Sequence, residues 1–169
     1  PPGYEEEVGA YLMNFFREAS IEAWTVPVEK SRFDVVAKIP GKNSSSSLAF
    51  TGHMDVVPVS EKERLRWKTP PFSGEIQGGF IHGRGSADMK GGLAAILETL
   101  TYYAAHLDEI NGKILACFVA DEEGLSKGTY QLVAEDVIHA DYAIMGECRY
   151  DNVAVGFRGR YSFEVTVHG

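Results

Sequence analysis

The sequence predicts an α/β fold, a three-layer sandwich around a mostly parallel central sheet, and three observations predict it. Short apolar runs, such as Ile114 to Ala120, alternate with segments of helical periodicity. The stretches between them are mostly brief and carry the glycines and prolines of turns. The 169 residues, 44% hydrophobic and 24% charged, suit one globular domain with a core of its own, with room for the start of another.

Taken in order, Val8, Tyr11, Leu12, Phe15, Phe16 and Ala19 recur at three- and four-residue steps and predict one apolar helix face. Glu5, Glu6 and Glu7 precede it, where the helix dipole favours acids. Strands follow at Glu22 to Val28 and Phe33 to Ile39, then a serine-rich surface turn from Pro40 to Ser47. Leu48 to Phe50 reads as a buried strand, Ser60 to Thr69 as a loop, and Ile76 to His82 as a hairpin around Gly78-Gly79. A helix is expected from about Lys90 to Ala105, a strand at Ile114 to Ala120, a helix near Lys127 to Glu135 and a strand at Tyr142 to Met145. Beyond these, Val153 to Val155 reads as a strand. Tyr161, Phe163, Val165 and Val167 alternate with polar residues as in a half-buried antiparallel strand. Residues 1–157 are therefore expected to belong to one domain, and 158–169 to open a second.

Charge narrows the partners. Sixteen basic against twenty-four acidic residues give a net charge of −8, with no Lys/Arg-rich run, which argues against nucleic acid and anionic membrane surfaces. Cys117 and Cys148 lack Cys-x-x-Cys spacing and read as reduced thiols of a cytoplasmic chain. No run of about 18 apolar residues and no charged-then-apolar leader is visible.

In an open α/β sheet, ligands gather beyond the carboxyl ends of the parallel strands. The strand at Leu48 leads to Thr51-Gly52-His53-Met54-Asp55, and that at Ile114 to Asp121-Glu122-Glu123. The strand at Tyr142 leads to Gly146-Glu147, and the turn Gly83-Arg84-Gly85 leads to Ala87-Asp88-Met89-Lys90 as a helix opens. Singly, each acid reads as a helix cap or solvated loop residue. Together, an imidazole and several carboxylates without thiolate suit Zn²⁺ or a similar divalent ion in a hydrolytic site. Asp55, two residues after His53, is placed to hold the imidazole from behind. Adjacent side chains point apart, so one of Glu122 and Glu123 can bind metal while the other faces a water and moves its proton.

The blocks Gly52 to Pro58, Trp67 to Phe72, Gly83 to Gly92, Asp121 to Glu123 and Gly146-Glu147, in that order, resemble the metallopeptidase superfamily of acetylornithine deacetylase, succinyl-diaminopimelate desuccinylase, aminoacylase and carboxypeptidase G. The resemblance implies a zinc-exopeptidase-like catalytic domain that hydrolyses the amide bond of N-acyl amino acids, or as an alternative of di- and tripeptides. It implies two Zn²⁺ per complete site, with Co²⁺ or Mn²⁺ as substitutes. His53 and Glu147 then bind one metal, Asp88 bridges both and Glu123 binds the second, while Glu122 is general base and acid and Asp55 orients His53. It further implies a cis bond at Asp88-Met89 and a homodimer formed through a lid domain, of which Tyr161 to Gly169 is the first strand.

Departures from the pattern set further expectations. The family's last histidine ligand comes from a C-terminal segment not found in this sequence, so the chain is expected to bind one metal, through His53, Asp88 and Glu147, more readily than two, and to be nearly inactive alone. Cys148 stands where relatives commonly carry proline, changing the loop and leaving Glu147 as ligand, with the thiol as the lesser alternative. His82 is read as a strand-end packing residue, His106 and His139 as surface residues, and His168 as having no role. The reading from another class is a non-catalytic interaction domain, which the retained Asp88 and Glu122 disfavour.

Overall fold

Helix α1 spans Glu6–Glu18, strand β1 Glu22–Glu29, β2 Arg32–Ile39 and β3 Ser47–His53, in a computed structural model that describes residues 4–43, 46–148, 152–156, 159 and 163–167. A one-turn helix α2 (Glu61–Arg64) and a hairpin of β4 (Glu75–Gln77) and β5 (Phe80–His82) precede α3 (Gly91–Ala105). Strand β6 (Lys113–Val119), α4 (Lys127–Ala134) and β7 (Tyr142–Met145) complete the elements. Among the described residues these strands and helices match the sequence reading closely, with α2 and a short 3-10 turn at Leu107–Glu109 added. Ser60 caps α2 inside the expected loop: its Oγ accepts from the Glu63 N–H at 3.1 Å, while the Glu63 carboxylate pairs with Arg84.

The main sheet has the order β1-β2-β6-β3-β7. Strand β2 pairs antiparallel with both of its neighbours, while β3 pairs parallel with β6 and β7, so every strand but β2 runs in one direction. Helices cover both faces, giving three layers. On one, Leu12 and Phe16 of α1 and Leu93, Ile96, Leu97 and Leu100 of α3 pack on Val35, Ala37, Ala116 and Phe118. On the other, Leu132 of α4 packs on Val26, Val36, Cys117 and Val119. Each such large apolar side chain stabilises the fold by about 1.5–3 kcal/mol relative to exposure. Both cysteines are free thiols, and burial pushes that of Cys117 up to about 12.

Two expectations need correction. Tyr11, placed on the buried face of α1, is 63% exposed, because the stripe centred on Leu12 and Phe16 is too narrow to take it in. The strands expected at 153–155 and within 161–167 are absent among the described residues: 152–156 and 163–167 are exposed and have no strand hydrogen bonding, while 161, 162, 168 and 169 lie outside them. Alternation fits a side-chain pattern to a pleat, but the strand itself forms only when a neighbour takes up its N–H and C=O groups. Glu5 is the N-cap of α1 and Glu6 and Glu7 lie in its first turn, where the helix dipole favours acids, and Glu5 is in addition 3% exposed and paired with Arg32.

An inward charge in β2 sets a testable property. Asp34 is fully buried, with Oδ1 accepting from the Ala120 N–H at 2.8 Å and Oδ2 unpartnered. Burial pushes its carboxyl up to about 6, against the Ala120 hydrogen bond that opposes the rise. The unfolded chain releases this proton near the ordinary 3.8 and the native one near 6, so stability falls as pH rises through that window and stays reduced above it. Asp34→Asn, which keeps the acceptor for Ala120, is expected to gain on the order of 2–3 kcal/mol above pH 6 and almost nothing below pH 4. Urea unfolding at pH 4 and pH 7.5 measures this; an equal gain at both values would rule out the buried carboxyl as its source.

Candidate metal centre

Strand register brings the predicted residues to one edge. Along β3 and β6, His53 stands beside Val119, so His53 and the Asp121-Glu122-Glu123 loop leave the sheet together. Along β3 and β7, Thr51 stands beside Met145, and the Gly146 N–H donates to Thr51 O at 2.9 Å, which carries Glu147 to the same edge. Gly92 at the start of α3 lies so close to this turn that a Cβ there would sit 1.9 Å from Gly146 O, contact that only glycine permits. The fourth contributor is the irregular wide turn Ser86–Lys90 that opens α3; its backbone is non-helical at Asp88 and Met89, and the bond between them is cis, as the resemblance implies.

His53 is at the centre. Its ring is buried at 1% side-chain exposure, and Nε2 lies 2.9 Å from Asp88 Oδ1, 3.7 Å from Glu147 Oε2 and 3.9 Å from Glu122 Oε2. One ligand atom each from His53, Asp88 and Glu123 fall within 4.8 Å of one another. The outer members open to solvent, with side-chain exposures of 53% at Asp88 and 46% at Glu122. Imidazole is thus fixed in a dry floor while carboxylates rim an accessible mouth. Beside it, a cleft of about 400 Å³ is lined by Tyr4, Val8, Asp55, Val56, Phe72 and Lys90.

Asp55 holds two things at once. His53 Nδ1 lies 2.9 Å from the Asp55 main-chain carbonyl and 3.5 Å from its carboxylate Oδ1, so the imidazole is braced from behind chiefly by the backbone. The carboxylate accepts from the N–H of Glu122 at 3.1 Å and of Glu123 at 3.0 Å. Residues 67 and 68 positions away are tied to the strand that bears His53. Sequence spacing held no signal for this second contact.

The electrostatics call for a cation. Burial lowers the His53 pKa, but Asp55 and then Glu122 outweigh it and lift the imidazole to about 9. Burial and the nearby Asp88 push Glu123 up. At Asp55, burial works in the opposite sense to His53 and the two N–H donors, which prevail and hold the carboxyl below its usual value. Lys90, the nearest lysine in the sequence, turns its Nζ to Met54 O at 2.6 Å. One nitrogen and several carboxylate oxygens, with no thiolate among the three clustered donors, form a set that fits a divalent ion of the zinc type.

Other histidines stay outside the cluster. His82 is packed edge-on to Phe80, His106 stacks on Tyr102 with ring centres 4.2 Å apart, and His139 pairs with Asp136 on the surface. His168 lies outside the described residues. Cys148 is exposed, its Sγ 3.8 Å from Glu147 Oε1.

The profile of peptidase family M20/M25/M40 matches residues 49–168. The chain belongs to that family. Among curated relatives it is 39% identical over 110 residues to the succinyl-diaminopimelate desuccinylase of Buchnera aphidicola subsp. Baizongia pistaciae, covering 63% of this chain and 29% of that protein. The desuccinylase of Methylorubrum extorquens is 38% identical over 132 residues, 72% of this chain and 34% of that protein. Among solved structures, an M20 family metallo-carboxypeptidase from Sulfolobus solfataricus aligns with a TM-score of 0.68 and 28% identity, over 83% of this chain and 32% of its own. The chain therefore spans about a third of the length of these relatives. Among the described residues, no helix is long and apolar enough to cross a membrane.

Proposed function

We propose that the protein carrying this chain hydrolyses the amide bond of N-acyl amino acids, with succinylated amino acids foremost, at a centre of two divalent ions, Zn²⁺ being the native choice and Co²⁺ or Mn²⁺ able to replace it. The observation that carries the reading is the gathering of His53, Asp88 and Glu123 donors within 4.8 Å, with Glu122 and Glu147 beside them, in a chain that is 39% identical to a desuccinylase over 110 residues.

In this reading His53, Asp88 and Glu147 would hold one ion, and Asp88 and Glu123 the other. The ions supply Lewis acidity toward the scissile carbonyl and lower the pKa of water. Glu122 takes the proton from the attacking water and delivers it to the leaving amine nitrogen. Asp55 keeps His53 and the Glu122-Glu123 backbone in mutual register. The small-molecule substrate reaches the open rim of the site. Residues 1–157 form the catalytic portion and 158–169 the start of a lid through which the full protein dimerises, in the cytoplasm.

A second reading, a peptidase acting on di- or tripeptides, draws support from the 28% identical metallo-carboxypeptidase. Amine release by the Zn²⁺-loaded full protein from N-succinyl, N-acetyl and dipeptide substrates separates the two. A kcat/KM at least tenfold higher on N-succinyl amino acids supports the first; a preference of that size for dipeptides replaces it with the second. Hydrolysis of none of them would sink both.

A further inference from the structure

The loop that carries Glu122 and Glu123 starts where a strand ladder gives out. Strands β2 and β6 pair from Ile39–Ile114 to Val35–Phe118, and the same register continued sets Arg32 across from Asp121. At Asp121 the backbone is left-handed, with φ at 65°, and the chain turns away from the sheet. Side chains take over from the ladder here. Asp34 accepts from the Ala120 N–H, and the Glu5 carboxylate accepts from the Asp121 N–H at 3.3 Å. The Asp121 carboxylate closes its own loop by accepting from the Leu125 N–H at 3.1 Å.

Arg32 is the hub of this arrangement. It forks onto Glu5 through Nε and Nη2, with Nε 3.0 Å from Oε2, while Nη1 donates to Asp121 Oδ1 at 2.8 Å and to Glu29 Oε1 at 2.9 Å. Arg32, Glu5 and Asp121 are 7%, 3% and 4% exposed. Desolvating such charges cancels much of their attraction, so stability alone is a poor account of the cluster. What a planar guanidinium does supply is fixed geometry, because its donors meet several carboxylates at set angles that an ammonium does not impose.

We propose that Arg32, braced by Glu5, is a positioning residue for Glu122 and Glu123: it pins the turn at Asp121 from the side of α1 and β2, while the Asp55 carboxylate pins the next two N–H groups from the side of β3. The assignment rests on the reading of Glu122 as base and Glu123 as ligand. It makes the N-cap of α1 part of the support of the site.

The test compares Arg32→Lys with wild type in the full protein, beside Leu100→Ala, a core truncation in α3 that lowers stability without touching the loop. In metal-free protein, Arg32→Lys is expected to speed amide exchange at Glu122 and Glu123 by about tenfold or more. Zn²⁺ affinity should fall about 10–100-fold, the usual loss when a group supporting a ligand is changed, and kcat should fall with KM little altered. Leu100→Ala should show none of these at equal global stability. If Arg32→Lys matches Leu100→Ala on exchange and on Zn²⁺, the positioning role is overturned. Should Arg32→Lys fail to fold, Glu5→Gln, which keeps an acceptor for Nε, carries the same expectations at smaller size. Wild-type protein that takes up no Zn²⁺ overturns the metal reading instead, and the exchange comparison still decides the role of Arg32.

Discussion

Glu122→Gln is expected to lower kcat by about 10³-fold while metal content and KM stay near wild type. The separation of effects follows from where the residue sits. Its N–H is held by Asp55 Oδ1 at 3.1 Å, a backbone contact that glutamine preserves, and the side chain is 46% exposed at the mouth of the cluster. Glutamine is nearly isosteric with glutamate, so the fold, the Asp55 clamp and the neighbouring donor of Glu123 are left in place. What is lost is a group able to accept a proton from water and return it to the amine. Steady-state kinetics on the preferred substrate, with metal analysis of the same preparation, measures both sides. Activity within threefold of wild type would remove Glu122 from proton transfer; loss of bound metal would make it a ligand instead.

Much of this site could be read from the order of elements alone, because a parallel sheet imposes a rule on sequence. Strands β6, β3 and β7 all run the same way, so whatever follows each of them arrives at one edge. His53, Glu122, Glu123 and Glu147 were legible for that reason, and Asp88 through the Gly-rich turn before α3. The supporting contacts obey no such rule. Asp55 meets Glu122 and Glu123 through backbone N–H groups, which every residue type offers, so nothing in the sequence marks the pairing. Arg32 did leave a trace: β2 reads Arg-Phe-Asp-Val-Val, and the two charges alternate onto the face that then carries Val36. An inward charge in a strand calls for a partner, yet the partners, Glu5 at the N-cap of α1 and Asp121 after the third strand of the sheet order, are fixed only by tertiary packing. Segment 163–167 shows the converse limit, since its alternation was plain but no strand among the described residues pairs with it.

His53→Ala is expected to weaken Zn²⁺ binding by more than about 100-fold, beyond the 10–100-fold typical of supporting groups, and to abolish hydrolysis at any practical metal concentration. Imidazole is the one nitrogen donor in the cluster, and its Nε2 is the point to which Asp88, Glu147 and Glu122 converge at 2.9, 3.7 and 3.9 Å. Alanine removes that donor and also the positive charge that balances these acids when no cation is bound, since the imidazole is lifted to about 9 by Asp55 and Glu122 against the effect of burial. The carboxylates left behind then repel one another across the mouth of the site, and oxygen donors alone shift the site's preference from zinc toward harder ions. The fold itself should persist, because the main core on the α1 and α3 face is built from apolar side chains such as Leu12, Phe16 and Phe118. Far-UV circular dichroism checks the fold, and elemental analysis after dialysis, followed by titration with Zn²⁺, checks the metal. A folded His53→Ala protein that keeps wild-type zinc would mean the carboxylates hold the ion by themselves, and the centre would have to be rebuilt around Asp88, Glu123 and Glu147.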